Sequence, residues 1–203
     1  MRSDLYCPAL GLSRLAGDQK ILLTARLAIV LLLLTTTSVV TAEESVTRNY
    51  PLLDHGVVRL DVPKSWQEKI KQTPDKRPPT FIFTPQNGAT FLVVVTPIWP
   101  AGPNVMLPSL GEIKESVATA ANRVGPQSVE GSIKIRELKG LSVDGYYFSA
   151  TDKAPAAGEF KYMTQGTLQL MNLLVTFSVM TNDGAENVVP ATLEMLRGII
   201  HAP

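Results

Sequence analysis

Two imidazoles are available for acid–base or metal chemistry in this 203-residue chain, His55 and His201. In the run Asp54-His55-Gly56 the first has two readings. As a general base or a ligand it needs an orienting acid and a reacting partner within reach. As an exposed turn residue ahead of a strand it needs nothing more, and that is the economical reading. His201 is third from the end of the chain, where fraying works against a base held in fixed geometry. A zinc site asks for three or four His, Cys, Asp or Glu ligands at fixed spacing, and two isolated histidines do not supply one.

The other chemistry-bearing residues point away from catalysis. Glu112 and Glu115 form one carboxylate pair and Glu130 and Glu137 another. The first pair falls in the opening turn of a helix, where negative charge complements the dipole, so no acid–base role is required. Neither a glycine-rich phosphate loop nor a Gly-x-Ser-x-Gly elbow is present, which leaves nucleotide binding and serine hydrolysis without an anchor and implies no cofactor. Two segments look like contacts instead. Lys69, Lys71, Lys76 and Arg77 gather around Pro74, Pro78 and Pro79 and suit an acidic partner or anionic lipid, though a charged loop is usually just solvated. The stretch Pro97 to Pro108 holds four prolines with Trp99 and Met106. Stiffened apolar side chains make contacts at low entropic cost if exposed. Against this stands the favoured reading that Trp99 and Leu107 tuck over a sheet edge.

Where the chain works is read from its first segment. Arg14, Lys20 and Arg26 precede an apolar run, Leu27 to Leu34, and then a small and polar stretch, Thr35 to Ala42. This is the order of a secretory signal, 1–42, with cleavage expected after Ala42. The alternative, an uncleaved anchor, must make do with 14 residues, Leu27 to Val40, against the ~20 apolar residues that span a bilayer. The single cysteine, Cys7, lies before the apolar run, so residues 43–203 carry no thiol, hence no disulfide and no thiolate chemistry. With four of the 19 basic and two of the 18 acidic residues in the first 42, the remainder has a net charge of −1. Such balance gives no footprint for nucleic acid.

These candidates must be positioned by one α+β domain, 43–203. Val57 to Val62 reads as a strand, followed by a short helical turn over Ser65 to Ile70 that packs Trp66 inward. Phe81 to Phe83 and Phe91 to Thr96 flank Asn87-Gly88 and predict a hairpin. The second arm is apolar at every position from Phe91 to Val95, as in a central strand covered on both faces. Ser109 and Glu112 have capping-box spacing at the head of a helix to about Arg123. Strands are expected over Ser132 to Leu138 and Ser142 to Ala150. A strong period-2 pattern then gives a hairpin from Phe160 to Met180, turning at Met171 and Asn172. A C-terminal helix, with Pro190 in its first turn, closes the order. An antiparallel sheet with helices packed on it is the expected architecture.

That order, with Val58-Arg59-Leu60-Asp61-Val62-Pro63 near its start and Gly145-Tyr146-Tyr147-Phe148 before the long hairpin, resembles the PsbP-like fold. The fold is an α/β/α sandwich shared by an extrinsic subunit of photosystem II, a Ran-GTPase-binding import factor and bacterial envelope proteins of the DcrB type. The resemblance implies a non-catalytic binding or assembly role and transfers no site residue. The expectation is an exported, periplasmic module that holds an envelope protein partner, with Lys71, Lys76, Arg77, Trp99 and Met106 as contacts and no catalytic residue. The alternatives are an enzyme built near His55 and a structural envelope protein tethered by its N-terminal segment.

Overall fold

The computed structural model describes residues 43–72, 77–102 and 105–203. The expected export segment 1–42, Lys76 and the residues around Pro74, and residues 103–104 lie outside it.

Among the described residues, ten strands form two antiparallel sheets, and two α-helices pack on the larger one. The small sheet has the order β1-β2-β10, from Ser45–Leu52, Gly56–Pro63 and Ile200–Ala202. The large sheet has the order β3-β4-β5-β9-β8-β7-β6. Its strands are β3 Trp66–Lys71, β4 Thr80–Pro85, β5 Phe91–Ile98, β6 Arg136–Lys139, β7 Val143–Thr151, β8 Tyr162–Leu170 and β9 Leu173–Thr181. Helix α1, Leu110–Val124, lies over β7 and β8 on the outer face. The inner face is covered by the small sheet and by α2, Val188–Arg197, which packs on β2, β6 and β9.

The main core lies between the sheets. Tyr50, Leu52, Val58, Leu60 and Val62 of the small sheet share one buried cluster with Phe81, Phe83, Phe91, Val93 and Val95 of the large one. A second cluster, Ile113, Val117 and Ala121 against Phe148 and Ala150, seats α1. Strand β7 is buried on both faces, with Val143, Gly145 and Tyr147 inward and Phe148 and Ala150 under the helix. The capping box forms as its spacing requires: Ser109 Oγ accepts from Glu112 N–H, and Glu112 Oε2 accepts from Ser109 N–H at 2.8 Å.

Several expectations are corrected. Residues 66–71 form an edge strand and not a helical turn, because Trp66, Glu68 and Ile70 alternate with Gln67, Lys69 and Lys71 while pairing with β4 from Trp66↔Pro85 to Lys71↔Thr80. Trp66 does turn inward, 5.1 Å from the Phe91 ring. The lysines facing out along this edge discourage pairing with another chain. Strand β6 is four residues and not seven, since β7 offers partners only from Arg136↔Tyr147 to Lys139↔Asp144. Strand β5 is central, but its two faces differ: Phe91, Val93 and Val95 are buried while Leu92, Val94, Thr96 and Ile98 stay half-exposed.

The C-terminus is also corrected. His201 does not fray: Ile200–Ala202 pairs with β2 through Ile200↔Arg59 and Ala202↔Val57, and the imidazole is buried. Gly56 makes this possible. At φ +80 it takes a backbone that L side chains avoid, and a Cβ there would stand 2.1 Å from the Ala202 carbonyl.

The sheets are also tied by polar groups. The Tyr50 hydroxyl on β1 donates to Glu68 Oε2 on β3 at 2.6 Å. Burial, and then this bond, pushes the phenol above its usual value, so it stays a donor at all working pH.

Candidate functional site

Strand register decides which connections share an end of the molecule. Lys71↔Thr80, Ile98↔Leu174, Leu170↔Leu173 and Val143↔Leu170 all lie at the same end of the large sheet. The loop after Lys71, the loop 99–109, the β8–β9 turn and the β6–β7 turn therefore emerge together. The β1–β2 turn joins them, because the His55 ring stacks on Trp99 with centroids 4.3 Å apart. Thus the described ends of the two segments singled out in the sequence, Lys71 and Arg77 on one side and Trp99 and Met106 on the other, belong to the same end of the sheet although they are more than 20 residues apart in sequence.

This end is built on fixed strands but carries apolar side chains in water. Eight large hydrophobic side chains are exposed among the described residues, and five of them sit on these connections: Leu53, Val105, Met106, Leu141 and Met171. Met106 and Leu141 are 90% and 94% exposed. A folded chain leaves single apolar groups exposed routinely; their gathering at one end is the informative observation. At the same end lies a hollow of about 500 Å³ lined by His55, Trp99, Pro100, Gly102, Val105 and Asn172.

Each expected contact has a definite place. Lys71 is exposed at the end of β3 and Arg77 is exposed where the loop returns to β4, while Lys76 is outside the described residues. Trp99 is half-buried against the main core, as the sheet-edge reading holds, yet its indole also walls the hollow. Met106 stands free of the core. Leu53, Leu141 and Met171 were missed. Met171 had a readable signal: it occupies a two-residue turn between Leu170 and Leu173, where Asn or Gly is the ordinary choice, and it holds φ +54. A long side chain in that backbone costs stability of order 1 kcal/mol.

The histidines, isolated in sequence, meet in the fold. His201 Nε2 lies 2.7 Å from the His55 carbonyl oxygen, while the His55 ring is spent on Trp99. His201 Nδ1 is buried without a protein partner among the described residues. The pair is a fastener that holds β10 and the β1–β2 turn in place, and among the described residues neither ring is paired with a carboxylate that would orient it as a base. His55 is therefore half-buried and stacked, not the solvent-exposed turn residue its sequence context predicts. No group of three or more His, Cys, Asp or Glu side chains able to hold a metal ion occurs among the described residues.

At the opposite end the charged groups serve structure. Burial pushes the Glu130 carboxyl up, but hydrogen bonds from Thr151 N–H at 3.0 Å and the Thr151 hydroxyl at 2.8 Å outweigh it and hold it below the usual range. Asp183 is likewise held low, first by the Tyr162 hydroxyl at 2.6 Å and then by Lys161 at 3.0 Å. No described helix is long and apolar enough to cross a membrane.

No protein-family model matches the chain, and no curated protein does. Among solved structures, the chain is similar to cyanobacterial PsbP from Synechocystis sp. PCC 6803, with 10% identity and a TM-score of 0.46 over 80% of this chain and 96% of that one. It is also similar to a protein from Bacteroides thetaiotaomicron, at 10% identity and a TM-score of 0.34, over 72% of this chain and 45% of the other. The α+β assignment rests on the two antiparallel sheets and two helices themselves, and likenesses at these scores carry no statement about function.

Proposed function

We propose that residues 43–203 are a non-catalytic binding module of the bacterial cell envelope, exported by the segment 1–42 and working in the periplasm by holding an envelope protein. The contact surface is the loop end, with Met106, Leu141, Met171 and the wall of the Trp99 hollow as its apolar centre and Lys71 and Arg77 on its basic side; Lys76, outside the described residues, is kept as a contact expected from the sequence. One observation carries this reading: five of the eight exposed large hydrophobic side chains project from connections at that end. Exposed apolar side chains on rigid elements are what an interface uses as anchors, and surrounding polar groups add selectivity. The positive-φ backbone at Met171 supports it further, since that turn holds a long apolar side chain out into solvent at the same end.

Two measurements test the reading. The mass of the exported protein should correspond to a chain beginning at Glu43; a mass retaining the first 42 residues favours the tethered alternative. The double substitution Met106→Glu and Leu141→Glu, at positions that touch little of the core, should shift the protein from a complex to a free monomer on native sedimentation of the solubilised envelope. Its melting temperature should not move. A variant that still sediments with a partner removes the loop end from consideration.

A further inference from the structure

The outer face of the large sheet is only half covered. Helix α1 sits over β7 and β8, with Leu174 and Met163 packed at its margin. On β4, β5 and β9 every outward side chain is half-exposed and none is buried. Rows of these side chains cross the strands. Thr96 pairs with Thr176 and Thr176 with Thr167, and the Thr96 hydroxyl donates to Thr80 at 3.2 Å. The neighbouring row places Val94 beside Ile82, and in the next Leu92 pairs with Met180, which pairs in turn with Met163. The last row runs into a hollow of about 490 Å³ whose apolar wall is Val124, Phe160, Met163 and Met180 and whose polar wall includes Asp152, Glu159 and Lys161. The outward positions of β3, β4, β5 and β9 carry two charges, both positive, Lys69 and Lys71 on the edge strand.

We propose that this open half is a groove for an amphipathic helix of the envelope partner. The helix lies beside α1, turns an acidic flank to Lys69 and Lys71, and sends one large apolar side chain into the Met163–Met180 hollow. The proposal rests on the reading of the chain as a binding module and names the segment it binds. Three considerations select this occupant. Three strands spaced ~4.8 Å apart leave a strip wide enough for a helix about 10 Å across. A half-buried face of Val, Ile, Leu and Met interrupted by threonines matches an apolar stripe bordered by polar residues, read at three- and four-residue spacing. Along the open strands β3, β4, β5 and β9 the outward side chains include two lysines and no carboxylate, which complements an acidic flank and disfavours a basic one at that edge, away from Asp152 and Glu159 of the hollow. Methionines in the hollow adapt to the shape of the anchor.

The test places a photoreactive benzoylphenylalanine at Thr176 in the groove, or at Met106 on the loop end, in the full chain within its own cell, and sequences the crosslinked peptide. The groove predicts that Thr176 joins a segment with apolar residues at helical spacing flanked by Asp or Glu. It also predicts that Lys69→Glu with Lys71→Glu, both on an exposed edge, lowers that yield about five-fold or more without changing the melting temperature. An adduct to lipid, glycan or a segment without helical spacing overturns the groove, as does a yield indifferent to charge reversal. If Met106 crosslinks and Thr176 does not, the module stands and the groove falls. Silence at both positions removes both.

Discussion

The two faces of β5 differ by design although the strand is apolar on both. Phe91, Val93 and Val95 point into a dry interface between two sheets, while Leu92, Val94 and Ile98 point to a half-covered surface. The two ends of the sheet differ in the same sense: apolar side chains crowd the loop end, whereas the far end carries hydrogen-bonded turns and ion pairs such as Lys161–Asp183 beside the Met163–Met180 hollow. Inside faces and tied ends hold the fold together. An open face and an apolar end are surfaces that the fold does not use, and they are where function is sought.

The contrast breaks most visibly in the core. Phe83→Ala on the inner face removes a fully buried ring and should cost about 3–5 kcal/mol, seen as a large fall in the denaturant midpoint. Val94→Thr on the outer face of β5 should stay within about 0.5 kcal/mol. Equal losses would mean the outer face is core after all. Next in size, His201→Ala removes a buried ring and its contact with the His55 carbonyl, and should cost about 2 kcal/mol. Hydrogen exchange should then rise first in Ile200–Ala202 and the β1–β2 turn, and loss confined elsewhere would refute the fastener.

The sequence made the hairpins, the capped helix α1 and the C-terminal helix legible, because local spacing carries them: Asn87-Gly88 for the turn, Ser109 with Glu112 for the cap, period 2 from Tyr162 to Leu170. Strands β1 and β10 were not legible. In β1 only Tyr50 and Leu52 are buried and Pro51 interrupts the pattern, while β10 is three residues long and exists only through its pairing with β2. For residues 66–71 composition suits a helix as well as a strand, and pairing with β4 decides. The loops of the candidate site were individually visible. Their meeting was not, since it depends on β5 pairing with β9 across some 80 residues of chain.

A smaller effect sharpens the comparison of the two ends. Met171→Gly relieves the positive-φ backbone and should stabilise by about 1 kcal/mol while weakening partner capture. Stabilisation with capture intact would make Met171 a neutral accident. Smallest is the pH response of the far end. Glu130 and Asp183 are held below their ordinary values, so the native state binds fewer protons there than the unfolded chain. Their contribution is complete above the unfolded carboxylate range and is lost as pH falls through the folded values. Glu130→Gln should flatten the acid limb of a midpoint-versus-pH curve and leave the neutral plateau nearly level. A steeper acid limb would contradict that sign.

The most direct measurement sets the loop end against the outer face of the small sheet in one experiment. Met106 at the loop end and Arg59 on β2 both have exposed side chains, so each can carry the same photoreactive group without disturbing the core. The binding-module reading predicts a discrete envelope-protein adduct from Met106 and none from Arg59. Adducts of equal yield from both, or from neither, would contradict it.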